Sequence, residues 1–182
     1  MEIIKVHDKE FSKYIDPKEL DFAVAKVAGQ INSEMADKNP LFLVVLNGAF
    51  MFASDLLKKI NFPMEISFVK LSSYVGTQTT SVVRELIGLD EVLHDRTVII
   101  VEDIIDTGIT MGVTMEKLKK LEAKEVKIAT LLFKPEAFRM NYKIDYIGIE
   151  IPNEFIVGYG LDYNGHGRNI PGIYKIIDSE NQ

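Results

Sequence analysis

The chain contains no cysteine and no tryptophan among its 182 residues, and only three histidines and six prolines. Without cysteine it can form no disulfide, no thiolate nucleophile and no cysteine-ligated zinc site. His7, His94 and His166 are scattered and show no metal-ligand spacing, so turn or surface placement accounts for them. Positive charge is also scarce: 21 Lys and Arg against 27 Asp and Glu leave a net charge of −6. That balance gives no electrostatic footprint for nucleic acid or an anionic membrane, and a phosphate ligand would need a local positive site. No apolar run approaches the ~20 residues of a membrane span. The opening residues, MEIIKVHDKEF, carry charge throughout and lack the apolar region of a signal peptide. The expectation is a cytoplasmic protein that binds neither nucleic acid nor membrane, with one hydrophobic core and at most a small appended lobe.

What is present is concentrated in VIIVEDIIDTGIT, residues 98–110. Residues 97–101 are β-branched or apolar without alternation, which predicts a strand buried on both faces of a parallel sheet. Glu102 and Asp103 follow at the carboxyl end of that strand, where open α/β sheets collect their ligands. Asp106, Thr107, Gly108, Ile109 and Thr110 then lead into a helix expected over 112–121, so backbone amides and two hydroxyls are offered to an anion. The carboxylates suit ribose hydroxyls, a divalent cation or a proton to be abstracted. Together the two halves imply a ligand carrying both a phosphate and hydroxyls.

The remainder alternates helices and strands. Asp16-Pro17-Lys18-Glu19 is a helix start, with a capping Asp, Pro at the first position and Glu at the third; the helix is expected to reach Ala36. Strands are predicted at 41–46, 64–71, 97–103, 126–133 and 146–149, with a helix at 50–60 and a polar loop at 72–85. The order predicts an α/β fold, a mostly parallel twisted sheet flanked by helices. The Gly- and Pro-rich tail IPNEFIVGYGLDYNGHGRNIPG is expected to wrap back as a hood over the carboxyl end of the sheet. Its Gly158 and Gly160 make no dinucleotide fingerprint, because neither a helix start nor a third glycine follows at the right spacing.

The 98–110 segment resembles the phosphoribosyl pyrophosphate (PRPP) signature of the type I phosphoribosyltransferases: four apolar residues, Glu-Asp, two apolar residues, Asp-Thr-Gly and a further Thr. TLLFKP and EIPNEFIVGYGLDYN are similar to the hypoxanthine (6-oxopurine) branch, and the similarity runs over residues 44–168. The resemblance implies transfer of a phosphoribosyl group from PRPP to hypoxanthine or guanine in purine salvage, with Mg²⁺ as cofactor and a homodimeric or homotetrameric assembly. It implies one domain over 1–182, with a core at about 38–150 and a hood from about 1–15 and 151–182.

The resemblance also distributes roles. Glu102 and Asp103 would hold the ribose of PRPP, residues 106–110 its 5′-phosphate, and Asp106 would act as general base at purine N7. Lys134 would contact the oxygen at purine position 6, Phe155 would stack on the ring, and Ile156 would offer backbone to the purine edge. Asp162, near the purine, would join Glu102 and Asp103 as a metal ligand; Asn47, Gly48 and Arg168 would hold pyrophosphate. Ser73 and Tyr74 match the family's lid. Many members carry a basic residue where this chain has Asn47, so part of the expected positive charge is missing there. From the residues alone, Lys134 reads also as a snorkelling surface charge, Phe155 as a core residue, Asp162 as a turn cap and 72–85 as an ordinary hairpin. Two other classes fit parts of the pattern. An RNA-binding nucleotide sensor can share the fold, and Asp-Thr-Gly also occurs in aspartic proteases, which are all-β and pair two aspartates.

Overall fold

The computed structural model describes residues 2–74, 82–87 and 92–177, with 71–74 and 82–87 described by their backbone. Two sheets share the strands. The larger has the order β5-β4-β3-β6-β7-β8, built from β3 (Leu41–Leu46), β4 (Glu65–Tyr74), β5 (Val82–Ile87), β6 (Thr97–Ile105), β7 (Glu125–Phe133) and β8 (Tyr146–Glu150). All neighbours are parallel except β5, which runs antiparallel to β4 at the edge. The smaller sheet joins the two ends of the chain in the order β1-β2-β10-β9, from β1 (Ile3–Val6), β2 (Lys9–Ile15), β9 (Ile156–Val157) and β10 (Ile173–Ile176).

Helices cover both faces of the large sheet. In α1 (Pro17–Met35), Leu20, Ala23, Val24, Val27, Ala28, Ile31 and Met35 recur at helical spacing and are buried. Asp16 caps the helix by accepting the Lys18 amide at 2.9 Å, and Pro17 occupies its first turn. With α2 (Phe50–Leu57), α1 packs on the inward-facing residues Phe42, Val44, Ile99, Val101, Ala129 and Leu131. The alternate residues Leu41, Leu43, Val45, Val98, Ile100 and Ile128 face the other way and pack with Met111 and Leu118 of α3 (Ile109–Lys120). Side chains on both faces of β3 and β6 are therefore in core, which explains their unbroken apolar sequences.

Several boundaries differ from expectation. The second helix stops at Leu57 rather than Ile60. α3 opens at Ile109 rather than Gly112, so Ile109 and Thr110 are its first residues instead of part of the preceding turn. β4 extends to Tyr74 and pairs antiparallel with β5, the hairpin that the residues of 72–85 allowed, which runs on to Ile87; the connecting residues 75–81 lie outside the described part of the chain. β6 continues to Ile105, two residues past the acid pair, because β7 keeps pairing with it through Ile105↔Phe133. On its other side, the pairing with β3 ends at Val44↔Val101. Glu102 and Asp103 therefore lie where β3 leaves the ladder and a crevice opens. No helix among the described residues is long and apolar enough to cross a membrane.

Candidate active site

Asp103 projects from β6 toward the turn that follows β3. The Leu46–Asn47 peptide bond there is cis, and a Cβ on Gly48 would lie 1.7 Å from Asp103 Oδ2. Only glycine fits against the acid. Asp103 is 7% exposed and its Oδ1 accepts the Ile104 amide at 2.8 Å. Burial raises its pKa, while hydrogen bonding with the neighbouring Glu102 carboxyl, then with the Ile104 amide, and the charge of Arg168 partly offset the rise. Glu102 is held more strongly in its neutral form. Burial, followed by the adjacent Asp103 charge, pushes its pKa well above the ordinary carboxylate value. Its Oε2 is buried and has no hydrogen-bond partner among the described residues. A buried acceptor of this kind is costly unless a donor arrives, and a ligand hydroxyl or metal-bound water would satisfy it.

Next to this pair, residues 104–111 and Glu102 line a cavity of about 160 Å³. Gly108, with φ 83°, is the cap residue of α3, so the first amides of the helix border the cavity. An anion with the size of a phosphate suits such a helix start. Asp106 and Thr107 form the bend before it, and the Thr107 hydroxyl lies 3.5 Å from the Ile109 amide.

Lys134 follows β7 and is 7% exposed, so its ammonium does not snorkel to solvent. It donates to Asp106 Oδ2 at 3.2 Å and to Asn153 Oδ1 at 3.3 Å, and its backbone amide donates to Ile105 at 3.0 Å. Two of three ammonium protons are thus committed, leaving one donor for a ligand. Phe155 is 46% exposed rather than buried in core. Its ring stands edge-on to Tyr163 at 5.8 Å and tilted to Phe11 at 6.3 Å, which fixes its plane and leaves a face open. Ile156 begins β9, an edge strand that pairs on one side only, with β10.

The glycine-rich loop after β9 closes the far side. The carbonyl of Gly48 approaches Gly160 so closely that a Cβ there would lie 2.0 Å away. Arg168 donates to Gly160 O at 2.6 Å and pairs with Asp162 at 2.5 Å. Asp162 Oδ2 also accepts the Gly165 amide at 2.7 Å, so this acid is both a turn cap and the partner of Arg168. Asn47 is exposed in the turn after β3. The fold thus brings Asn47, Gly48, Asp103, Asp162 and Arg168 into one chain of contacts, and Asp106 to Lys134 into another. Ser73 and Tyr74 lie in the last residues of β4, and their side chains are outside the described part of the chain.

Several participants were not singled out from the sequence. Asn153 shares Lys134 with Asp106, and its only signal is an amide following a strand end. The Tyr159 hydroxyl donates to Asp55 of α2 at 2.6 Å, tying the glycine-rich loop to the helix that follows Gly48. Tyr142 donates to Gly108 O at 2.6 Å. Each joins residues distant in sequence, so local pattern could not reveal it.

An open parallel sheet with buried acids and an anion-binding helix start at its carboxyl edge defines an α/β protein built for a phosphorylated, hydroxyl-bearing ligand. A family model for the phosphoribosyl transferase domain matches residues 12–164. The hypoxanthine-guanine phosphoribosyltransferase of Bacillus subtilis (strain 168) is 40% identical over 169 residues, 92% of this chain and 93% of the relative. The hypoxanthine phosphoribosyltransferase of Buchnera aphidicola subsp. Schizaphis graminum is 41% identical over 166 residues, 90% and 94% of the two chains. Among solved structures, a Bacillus anthracis hypoxanthine-guanine phosphoribosyltransferase superimposes with TM-score 0.86 and 35% identity, covering 95% of this chain and 100% of that one. A Staphylococcus aureus hypoxanthine phosphoribosyltransferase gives TM-score 0.86 and 32% identity over 91% of each chain. The chain belongs to the phosphoribosyltransferase family, in its hypoxanthine and hypoxanthine-guanine branch. The protease alternative falls with the fold, since Asp-Thr-Gly here joins a parallel strand to a helix.

Proposed function

We propose that this chain is a purine salvage enzyme of the cytoplasm that transfers the 5-phosphoribosyl group of PRPP to N9 of hypoxanthine, and of guanine. The products are IMP or GMP and pyrophosphate. The observation that carries this reading is the adjacency of three unlike features: the cavity lined by the 106–110 turn, the partnerless buried oxygen of Glu102, and the buried ammonium of Lys134. They match a phosphate, a ribose hydroxyl and a carbonyl oxygen of one nucleotide.

In this reading the amides of 107–110 hold the 5′-phosphate, and Glu102 and Asp103 accept the ribose hydroxyls. The Asp103 charge, and that of Glu102 once a bound cation or hydroxyl donor offsets its burial, favours the cationic sugar that develops as the bond from C1 to pyrophosphate breaks. Asn47, Gly48 and Arg168 border the leaving group. Asp106 accepts or shuttles the proton at purine N7, and the Lys134 ammonium beside it donates to the oxygen at position 6. Adenine, with an amino group there, would leave that donor unpaired. Phe155 gives the base a platform worth ~1 to 3 kcal/mol in comparable stacking contacts, and Ile156 offers edge-strand backbone. Ser73 and Tyr74 belong to a lid that keeps water from the sugar.

A divalent cation suits these donors. Glu102 offers a partnerless buried oxygen and Asp103 an adjacent carboxylate, while Asp162 would have to give up part of its pairing with Arg168 and the Gly165 amide to join them. Among the described residues, no three acid or histidine side chains converge as a closed metal site. Mg²⁺ commonly takes one or two carboxylates and substrate oxygens and water, so in this reading Glu102 and Asp103 would be its main protein ligands. When bound, the ion neutralises the departing pyrophosphate. The same reading makes the whole chain one domain, a core at about 38–150 with a hood from 1–15 and 151–182, assembling as a homodimer or homotetramer. Ile66 and Phe68, 40% and 43% exposed on one face of β4, support a further copy covering that face. The RNA-sensor alternative is weaker, because Lys134 is buried and bonded to Asp106 and Asn153 rather than presented on a basic surface.

The test is to incubate the protein with PRPP, Mg²⁺ and each purine base, following nucleotide formation with and without EDTA. Product with hypoxanthine and guanine, lost with EDTA, is expected; product only with adenine or a pyrimidine would overturn the roles of Lys134 and Phe155.

A further inference from the structure

The 5′-phosphate turn is held from within only by the Gly112 amide on Gly108 O at 2.9 Å and a long contact of 3.5 Å from the Ile109 amide to the Thr107 hydroxyl, and it is braced from outside. Gly108 sits at φ 83°, and its Cα is pressed against Phe138 and Tyr142, where a Cβ would meet Phe138 Cε2 at 2.5 Å and the Tyr142 hydroxyl at 2.7 Å. Two consecutive carbonyls of the turn are taken up by the segment after Lys134. The Arg139 amide donates to Thr107 O at 3.2 Å, and the Tyr142 hydroxyl donates to Gly108 O at 2.6 Å. The C=O and N–H of a planar trans peptide point in opposite directions. Holding Thr107 O and Gly108 O on the side of residues 138–142 therefore turns the Gly108 and Ile109 amides the other way. Gly108 and Ile109 line the cavity. Aromatic packing fixes the Tyr142 ring: it meets Phe138 edge-on at 5.3 Å, and Phe138 meets Phe133 of β7 edge-on at 5.4 Å. The Phe138 amide also donates to Lys134 O at 3.2 Å.

We propose that Tyr142 is a positioning residue for phosphate recognition: its hydroxyl, with the Arg139 amide, fixes the orientation of the two peptides whose N–H groups receive the 5′-phosphate. The proposal rests on the nucleotide reading of the site. It also predicts that the segment beginning at Lys134 supports two sites, the base through Lys134 and the phosphate through Tyr142. Preset donors lose no free energy to reorientation when the anion arrives, and this is the advantage of a fixed turn over a mobile one.

Tyr142→Phe keeps the ring, its packing and the space against Gly108, while Gly108 O retains the Gly112 amide at 2.9 Å. The variant should fold and keep its Tm within a few degrees. Affinities for IMP, inosine and pyrophosphate are compared with wild type by calorimetry, alongside steady-state kinetics. The expected result is about tenfold weaker binding of IMP and a comparable rise in KM for PRPP, with inosine and pyrophosphate affinities changed less than twofold. Uniform weakening of all three ligands, or no change in any, would overturn the proposal. A wild-type protein that bound IMP no better than inosine would instead overturn the nucleotide reading itself.

Discussion

At the scale of single residues, the site is organised by groups that lack or share partners. Asp106 and Asn153 divide one buried ammonium, that of Lys134, so the aspartate is held beside the proposed base site while its side chain stays 48% exposed. Asp106→Asn retains the shape and one hydrogen-bonding oxygen but cannot take a proton. It should lower kcat by ~10²- to 10⁴-fold, the usual contribution of a general base, with PRPP affinity within about threefold of wild type. A large loss of PRPP binding would move Asp106 from base to ligand. Glu102 gives a pH prediction. Its folded pKa is raised, so between the ordinary value of 4.5 and that raised value the folded chain keeps a proton that the unfolded chain has lost. Stability of the ligand-free protein therefore falls as pH rises through that window. Glu102→Gln removes this dependence. It should unfold at higher denaturant concentration than wild type at pH 8, by more than the ~0.5 kcal/mol of an ordinary surface change, and the gain should vanish near pH 4. An unchanged difference across that range in parallel urea titrations would show that Glu102 is not charged at cost.

At the scale of elements, the helices and central strands were the most legible. The Asp16-Pro17 start of α1 could be read from the sequence because capping is local chemistry between neighbours: Asp16 Oδ1 accepts the amide two residues on. Asp16→Ala should cost ~1 kcal/mol, seen as a lower urea midpoint with unchanged m-value and unchanged affinity for IMP. The strands β1, β9 and β10 have four, two and four residues, too short for periodicity to register. Their pairing is set by distant partners such as Ile173↔Ile15 and Tyr174↔Val157. Boundaries also depended on neighbours. β6 runs two residues past its acids because β7 offers it a ladder, and nothing in the residues Ile104 and Ile105 distinguishes a strand from the start of a loop.

For the molecule as a whole, the pyrophosphate side of the proposed site exists only where three distant segments meet: the turn after β3, the end of β6 and the glycine-rich loop after β9. Gly48 is the contact point, with Asp103 Oδ2 against its α-carbon and its carbonyl against Gly160. Gly48→Ala must displace either the acid or the loop. It should lower affinity for pyrophosphate and PRPP at least tenfold while leaving the far-UV circular dichroism spectrum unchanged, since the helices and central strands lie outside the contact. Retention of wild-type PRPP affinity would mean that the turn has room the packing does not show. The Tyr159 to Asp55 hydrogen bond closes the same junction from behind. Burial, then that hydrogen bond, raises the tyrosine pKa, so the phenol remains a donor throughout the ordinary pH range.

By itself the sequence determined what depends on neighbours along the chain: the caps, the buried apolar strands, the spacing of Glu102, Asp103 and Asp106, and through these the family. Only the tertiary structure decided how the roles are supported. Lys134 became a buried, twice-bonded donor, Phe155 an open ring, and Glu102 an acid with an unsatisfied oxygen because of groups brought from elsewhere in the fold. Tyr142 and Gly108 are 34 positions apart, and Tyr159 and Asp55 are 104 apart. Hydrogen bonding and burial act over a few ångströms of space, and sequence records separation along the chain, so such contacts leave no local trace.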